Sequence, residues 1–351
     1  MTEFDTIVLG ASGYVGGECL RLVGGHPGLK LAGAVSESRA GAPIAEAFPH
    51  LQSSFAERFH SPEDIPAILE RTRGTVGVLS AGSHGASAAL VLELLRSAAK
   101  KGVDVRVVDL SADFRFAEAS GYEAVYGKTH GAPSLLSAFV CGVPEHIGGT
   151  PLHAGHPGCF TTSVLLAIVP LLKLGIVEPD LYVVGVTGST GSGREPKETT
   201  HHPARRSNLF AYQPLVHRHV PEMRSLAEKA AGVRPKIHFV PHSGPFARGI
   251  HTTVQGRLRA SLDAAAIRSE IASFYGACPL VRVVAGAPRI KDVAGSSYAH
   301  LGVAADGETV AVFSVIDNLL KGAAGGGVQW LNRLLGLSET AGLTQPGPGW
   351  I

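Results

Sequence analysis

The sequence predicts two domains of different classes, an α/β domain with a parallel sheet followed by a domain whose sheet is closer to antiparallel. Three observations carry this prediction. Short β-branched runs alternate with helix-like segments at intervals of roughly 20–35 residues in the first half. The pattern changes after about residue 155. Beyond that point the strand-like runs are longer, alternate apolar with polar residues and are separated mainly by loops.

In the first half, four short apolar runs have the composition of buried parallel strands. A helix-like segment follows the first run and ends at Gly24-Gly25, and a second one, Ala86–Gly102, separates the third run from the fourth. The predicted strands are Thr6–Gly10, Leu29–Ser36, Thr75–Ser80 and Val105–Ser111.

In the second half, alternating runs predict four longer strands. An amphipathic helix interrupts them, with Asp263 near its start and Gly276 after it. A last predicted helix lies within Asn318–Gly336. The predicted strands are Leu181–Gly188, Lys236–Gly244, Gly249–Arg259 and Thr309–Asp317.

The composition is typical of a soluble globular enzyme of 351 residues, because 45% of the residues are apolar and 17% are charged. A formal charge of +2 without a clustered basic stripe argues against a nucleic-acid partner. The four cysteines form no CxxC pair, which argues against a disulfide framework or a cysteine zinc site. No apolar run reaches membrane-spanning length and no leader precedes the first strand, so we expect a cytoplasmic protein without a membrane partner.

A glycine-rich turn, GASGYVG, follows the first predicted strand. Glycines between a strand and a helix permit a tight turn, close approach of a pyrophosphate and close packing of the helix. We therefore predict that a dinucleotide binds at Gly10, Ser12, Gly13, Tyr14, Val15 and Gly16.

The end of the second predicted strand bears on the choice between NAD and NADP. Glu37 can accept hydrogen bonds from a ribose hydroxyl, whereas Ser36, Ser38 and Arg39 can hold a 2′-phosphate. This chemistry favours NADP(H) as the cofactor.

Cys159 has the sequence context of a catalytic thiol. It follows the Pro157-Gly158 turn and precedes the apolar run VLLAIVPLLKLG, so that it lies where a helix is expected to begin. The unpaired N–H groups and the dipole at a helix N-terminus favour a thiolate.

The HRH segment can supply a partner for this thiol. In an extended segment His217 and His219 point to the same side, and Glu222 can orient one of the rings. A zinc site that also uses His201 and His202 is the alternative, but no H-E-x-x-H spacing supports it, and we predict no metal.

Six motifs, in order, resemble the N-acetyl-γ-glutamyl-phosphate reductase family, which is related to aspartate-semialdehyde dehydrogenase. The match runs from about residue 5 to residue 343. The motifs are GASGYVG, LSADFR (Leu110–Arg115), PGCFTT (Pro157–Thr162), TGSTGSGR (Thr187–Arg194), HRHVPE (His217–Glu222) and DNLLKGAAG (Asp317–Gly325).

The resemblance implies a Rossmann domain that binds NADP, formed by residues 1–155 and 319–351. It also implies an inserted α+β catalytic and dimerisation domain, residues 156–318, with a mixed, largely antiparallel sheet, and a homo-oligomer that is a dimer or a tetramer.

The implied reaction is the NADPH-dependent reduction of an acyl phosphate to an aldehyde in arginine biosynthesis, with Cys159 as the nucleophile that forms a thioester. We assign proton transfer to His217, with His219 as the second candidate, since an imidazole titrates near neutrality. The remaining assignments are Arg115, Arg194 and Glu222 to the substrate, Ser189 and Gly191 to a loop beside the cofactor, and Asn318 to the nicotinamide amide.

Departures from the family pattern leave the acyl group open. Val216 precedes HRH where the family usually has glycine, Ser80–Gly85 (SAGSHG) replaces A-L-P-H/N-G, and Thr200–Pro214 resembles enzymes that reduce a carrier-linked aminoadipyl phosphate. In that alternative the substrate is an aminoadipyl or glutamyl phosphate carried on a small acidic protein, which Arg205-Arg206 would contact. A non-catalytic NADP-binding regulator is a remote third reading, against which the six ordered motifs argue.

Overall fold

The computed structural model describes residues 3–349, which form two compact units. The first unit contains the chain up to Pro144, then Gly149–Pro157 and Ala323–Leu343. The second contains Glu145–Gly148, Gly158–Gly322 and the chain from Thr344 onwards.

The units differ from the predicted domain limits mainly near the C-terminus. The prediction placed all of 319–351 with the first domain, whereas residues from Thr344 onwards pack on the second unit. Tyr298 Oη donates to the carbonyl of Thr344 (3.3 Å). Pro348 covers Gly295 so closely that a Cβ there would lie 2.7 Å from Pro348 Cδ. Residues 1, 2, 350 and 351 of the predicted limits lie outside the described residues.

The first unit is built on a parallel sheet with the strand order β2-β1-β3-β4-β6-β5. The third strand is buried at every position, as expected for a parallel strand with both faces covered. All four strands predicted here are confirmed, and the two three-residue strands were not predicted. The strands are β1 (Phe4–Leu9), β2 (Leu29–Val35), β3 (Val76–Ser80), β4 (Val105–Asp109), β5 (Phe139–Cys141) and β6 (His153–Gly155).

The helices of the first unit bury apolar faces against this sheet. Val91 and Leu94 of the fourth helix belong to one apolar core with Ile7 and Val78 of the sheet. Trp330 of the last helix is fully buried and donates through Nε1 to the carbonyl of Gly142 (2.9 Å). The helices are α1 (Tyr14–Gly24), α2 (Ile44–Ala47), α3 (Ile65–Arg71), α4 (Ser87–Lys101), α5 (Ala119–Tyr126) and, near the C-terminus, α10 (Gly325–Leu334).

The second unit is built on a mixed sheet with the order β11-β12-β13-β10-β7-β9-β8. Two neighbouring pairs, β11–β12 and β7–β9, are parallel, and the other pairs are antiparallel. The predicted class, a Rossmann-like α/β domain plus an α+β domain with a mixed, largely antiparallel sheet, is therefore confirmed. The strands are β7 (Val177–Thr187), β8 (Phe210–Ala211), β9 (Lys236–Ser243), β10 (Ile250–Leu258), β11 (Val281–Val283), β12 (Ala299–Ala305) and β13 (Thr309–Ile316).

Four α-helices belong to the described part of the second unit. The predicted helix after Asp263 is confirmed, because the Asp263 side chain caps it by accepting from the N–H of Ala266 (2.7 Å). Within residues 3–349, no helix has the length and apolar character needed to cross a membrane. The four helices are α6 (Cys159–Lys173), α7 (His202–Arg205), α8 (His219–Ala231) and α9 (Ala264–Phe274).

The last predicted helix differs from the structure at its start. Residues Leu320–Ala324 form a π-helical turn that runs directly into α10. The wider turn is closed by a hydrogen bond from the N–H of Gly322 to the carbonyl of Asp317 (3.0 Å).

Candidate active site

The glycine turn of the first unit has the shape of a pyrophosphate cradle. Gly10 has φ +66°, and a Cβ there would lie 2.5 Å from the carbonyl oxygen of Ala81. A Cβ at Gly16 would lie 2.4 Å from the carbonyl oxygen of Gly10, so both positions require glycine. Gly13 precedes α1 without a side-chain cap, and its open side leaves room for an anion at the helix N-terminus. The residues present therefore fit a bound dinucleotide.

The other predicted cofactor residues of this unit surround the same turn. Tyr14 and Val15 open α1, and Ser12 Oγ lies 2.8 Å from the buried Ser36 Oγ at the end of β2. Ser38 is exposed. Arg39 is half-exposed, with Nη1 3.7 Å from Glu46 Oε1, which is a weak surface contact.

A buried polar cluster follows β3 and β4, and only one of its members, Arg115, was predicted to have a function. Arg115 is buried, and its Nη2 lies 3.4 Å from the carbonyl oxygen of Leu110. Asp109 accepts hydrogen bonds from the hydroxyls of Ser87 (2.5 Å) and Ser111 (2.7 Å). Burial raises the pKa of Asp109 to about 6, and these two hydrogen bonds act in the opposite direction. The LSADFR motif contained the signal for this cluster, since acidic residues at the end of a buried strand are rarely unpaired.

In the second unit, Cys159 is the first residue of α6, as predicted. Its thiol is neither paired in a disulfide nor fully buried. Cys19 provides a contrast within the chain. It lies inside α1, where burial raises the pKa of its thiol far above the ordinary value and keeps it protonated.

Glu222 connects α8 to the start of α6. It is 1% exposed, and its Oε1 accepts the N–H of Gly158, the residue before Cys159, at 2.7 Å. This carboxylate therefore fixes the N-terminus of the helix that carries the thiol. The sequence had assigned Glu222 to the substrate or to an imidazole, and its bond to Gly158 was not predicted.

His217 and His219 lie together at the start of α8, both buried, with ring centroids 4.7 Å apart. His217 Nδ1 accepts the N–H of His219 (3.2 Å), so its neutral ring carries the proton on Nε2. Burial, and then the charge of Arg218, lowers the pKa of His217 to about 4. Phe160 lies within 5.9 Å of the His217 ring and within 6.5 Å of the His219 ring, and it directly follows Cys159.

Tyr212 was missed by the sequence analysis. Its ring centroid lies 5.6 Å from that of His217. Burial, and then the nearby Cys159, raises the pKa of its hydroxyl well above the ordinary value. Its place beside the thiol depends on the fold of the irregular segment before HRH, and no motif indicated it.

Asn318 and the glycine loop form one hydrogen-bonded group. Asn318 Oδ1 accepts the N–H of Gly249 (2.7 Å), and its Nδ2 donates to Thr190 Oγ1 (3.0 Å). Thr190 lies between Ser189 and Gly191 in a short 3₁₀ turn. Asn318 therefore holds the loop predicted to lie beside the cofactor. Arg194 follows the turn and is half-buried.

The histidines of the zinc alternative do not form a cluster. His201 and His202 are exposed, whereas His217 and His219 are buried. Across residues 3–349, no three His, Cys, Asp or Glu side chains are arranged to hold a metal ion.

Two family models match the chain. The model described as semialdehyde dehydrogenase, NAD binding domain, matches residues 5–146. The model described as semialdehyde dehydrogenase, dimerisation domain, matches residues 159–318.

Relatives named N-acetyl-gamma-glutamyl-phosphate reductase match along nearly their full length. The protein from Methanopyrus kandleri is 39% identical over 348 residues, which cover 97% of this chain and 98% of the relative. The protein from Magnetococcus marinus is 39% identical over 345 residues, with 96% of each chain covered.

Solved structures of aspartate-semialdehyde dehydrogenases have the same fold. The enzyme II from Vibrio cholerae, complexed with ASA, has a TM-score of 0.69 at 17% identity and covers 95% of this chain and 99% of its own. The enzyme from Candida albicans, with NADP, has a TM-score of 0.62 at 16% identity, with coverage of 95% and 99%. The family models and the full-length relatives show that the chain belongs to the semialdehyde dehydrogenase family, among the N-acetyl-γ-glutamyl-phosphate reductases.

Proposed function

We propose that the protein reduces N-acetyl-L-glutamyl 5-phosphate to N-acetyl-L-glutamate 5-semialdehyde and phosphate with NADPH, a step of arginine biosynthesis. The observation that carries the proposal is the position of Cys159. It opens α6, behind a residue held by a buried carboxylate, and the next residue, Phe160, contacts both buried imidazoles with its ring.

The Cys159 thiolate attacks the acyl carbon, the bond from carbon to the phosphate oxygen breaks, and phosphate leaves with the electron pair. The N-terminal N–H groups of α6 favour the thiolate and can stabilise the negative oxygen of the tetrahedral state. NADPH supplies the hydride that reduces the resulting thioester. The thiohemiacetal on Cys159 then releases the aldehyde by cleavage of its carbon–sulfur bond.

The histidine pair handles the protons of the sulfur and oxygen atoms. The sequence favoured His217 for this role, but its enclosed ring resists protonation near neutral pH, because burial lowers its pKa to about 4. His219 opens α8, and the Glu222 carboxylate lies one helical turn further along the same helix. We therefore assign proton transfer to His219 and the positioning of its backbone to His217.

The choice of NADP over NAD rests on the polar residues after β2. Ser36 is tied to the glycine turn through Ser12, while the half-exposed Arg39 has only a weak partner and is available to a 2′-phosphate. Glu37, the residue that would favour NAD, is exposed. Asn318 is proposed to act on the nicotinamide through the loop that it holds.

Arg115 and Arg194 are the proposed contacts for the phosphate and the α-carboxylate, since guanidinium groups bind such anions in a bidentate manner. We further infer a homo-oligomer, a dimer or a tetramer. In support, β7 exposes 58% of Tyr182 and 46% of Val184 on one face of the sheet in the unit that matches the dimerisation model.

The carrier-linked alternative has less support. Arg205, one of the two arginines assigned to a carrier, is buried and donates to Ser243 Oγ at 2.8 Å, so only Arg206 is exposed. The relatives reported above are named for the acetylglutamyl substrate.

The test compares three variants in an NADPH-oxidation assay with N-acetylglutamyl phosphate. Cys159→Ser is expected to lose reduction and retain NADPH binding. His219→Asn should lose about 10²–10⁴-fold in turnover, and His217→Asn about tenfold or less. An active Cys159→Ser variant would exclude the thioester, and a greater loss in His217→Asn would reverse the assignment of the two rings. A non-catalytic regulator predicts no NADPH oxidation by the parent protein with any acyl phosphate.

A further inference from the structure

The π-helical turn Leu320–Ala324, referred to below as the π turn, is held firmly at its start by Asp317. Asp317 is fully buried, and its Oδ1 accepts the N–H groups of Leu319 (2.8 Å) and Leu320 (3.0 Å). Its Oδ2 accepts Nε of Arg248 (2.9 Å) and the N–H of Gly295 (2.7 Å). With Nη2 of Arg248, which donates to Oδ1 (3.2 Å), five donors from four residues therefore fix the carboxylate from which the turn begins.

The middle of the π turn lies directly against the proposed nucleophile. A Cβ at Gly322 would lie 2.8 Å from Cys159 Cβ and 3.2 Å from Cys159 Cα. Both distances are shorter than a relaxed carbon–carbon contact, about 3.5–4.0 Å. The first residue of α6 thus packs on bare backbone, and the π turn limits how far Cys159 can move in that direction.

A buried ion pair secures the same turn. Lys321 Nζ donates to Glu145 Oε1 (2.5 Å), and the two side chains are 0% and 1% exposed. The next residue, His146, places Nε2 2.8 Å from Tyr275 Oη, which donates to the carbonyl of Leu166 in α6 (2.8 Å). The segment Glu145–His146 therefore connects the π turn to the helix that carries Cys159.

We propose that Gly322 and Lys321 are positioning residues for the reaction: the bare backbone of the π turn sets the place of Cys159, and the Lys321–Glu145 pair holds that turn. The proposal rests on the proposed role of Cys159 as the nucleophile. Attack on an acyl phosphate requires an aligned sulfur, and a displacement of about 1 Å is enough to cost roughly 10²-fold in rate.

Gly322→Ala tests the first half of the proposal. We expect turnover to fall about 10- to 100-fold with KM changed less than about threefold, because the added methyl group displaces the thiol but no substrate contact. Alkylation of Cys159 by iodoacetamide, followed against pH, should change in rate or midpoint.

Gly256→Ala is the matched control. Its Cβ would also meet a neighbour at 2.8 Å, namely Leu181 Cδ2, on a part of β10 that has no residue of the site. We expect a similar loss of thermal stability but parental turnover and parental thiol alkylation. Parental turnover in Gly322→Ala, or an equal loss in Gly256→Ala, would overturn the proposal. An active Cys159→Ser variant would instead refute the proposed function.

Lys321→Met tests the second half. It removes the positive charge that faces the buried Glu145 carboxylate, so we expect reduced turnover and altered thiol alkylation at nearly unchanged KM. The double variant Lys321→Met/Glu145→Leu removes both charges of this buried pair and should restore folding and bring turnover to within about fivefold of the parent. A double variant that is folded but as impaired as the single one would show that the Lys321 charge acts on the reaction directly, and would overturn the anchoring role.

Discussion

Glu222→Gln removes one negative charge from a buried position while keeping the shape of the side chain. Glu222 is 1% exposed and its Oε1 lies 2.7 Å from the amide nitrogen of Gly158. The amide oxygen of glutamine can accept the same hydrogen bond, so the residue before Cys159 stays anchored. What is lost is the carboxylate charge one helical turn from His219. The substitution therefore separates anchoring from electrostatic support.

The expected magnitudes follow from this geometry. A hydrogen bond to a charged group contributes about 1.5–3 kcal/mol and a neutral one about 0.5–1.5 kcal/mol, so Glu222→Gln should destabilise the fold by about 1 kcal/mol. Glu222→Ala also leaves the Gly158 amide without its acceptor, which adds about 1–3 kcal/mol. For turnover we expect a loss of about 10- to 100-fold in the glutamine variant, equivalent to about 1.4–2.8 kcal/mol of lost transition-state stabilisation.

The assay measures turnover by NADPH oxidation from pH 6 to pH 9, beside urea unfolding of the same preparations. Glu228→Gln is the matched control, because Glu228 lies on the same helix but is exposed, and its ion pair with Arg234 is on the surface. A glutamine variant with parental turnover, next to an impaired alanine variant, would refute the electrostatic role and leave only the anchoring of Gly158.

Two further predictions concern the first unit. Arg39→Ala should weaken NADPH binding about 10- to 100-fold, the value of a charge-assisted phosphate contact, and leave NADH binding within about threefold, as measured by fluorescence titration. The exposed Arg73→Ala is the control. Equal weakening of the binding of both cofactors would count against the 2′-phosphate contact. Burial lowers the pKa of His153 to about 4. Below pH 6.5 the unfolded chain therefore binds a proton that the folded chain does not, and the free energy of unfolding decreases as the pH falls towards 4. In urea unfolding between pH 7 and pH 5, we therefore expect the free energy of unfolding of His153→Asn to fall by about 1–2 kcal/mol less than that of the parent. In the exposed His50→Asn variant it should fall by as much as in the parent. Asp109 acts in the opposite direction, but it is present in all three proteins.

The parts of the fold that the sequence predicted are those with strong local signals. The strands β1 to β4 are apolar runs of five to seven residues, and burial on both faces requires that composition. The strands β5 and β6 have three residues each, too few for any period to be recognised. The strand β12 was not predicted, because its sequence, AHLGVAA, contains few β-branched residues. Its extended conformation depends on pairing with β13.

The site was predicted only where a local motif marked it. Cys159 was predicted because the turn before it and the helix after it lie within a few residues. The pair of His217 and His219 was predicted because both histidines lie in one short motif. The ion pair of Lys321 and Glu145 joins residues 176 positions apart, and no local sequence pattern at either residue indicates the other. The same limit applies to the Gly158–Glu222 bond, whose ends are 64 positions apart.

The discontinuous make-up of the first unit sets an order for folding during synthesis. The carbonyl of Gly142 can accept its hydrogen bond from the indole of Trp330 only after that residue, 188 positions later in the chain, has been synthesised. At ordinary translation rates this interval is roughly 10–40 s. Most of the second unit is contiguous, Gly158–Gly322, and is complete before α10 has been made. On the ribosome, the apolar surface of the first unit that packs against Trp330 therefore stays exposed during this interval. The second unit, which carries the Cys159 thiol, is already able to fold.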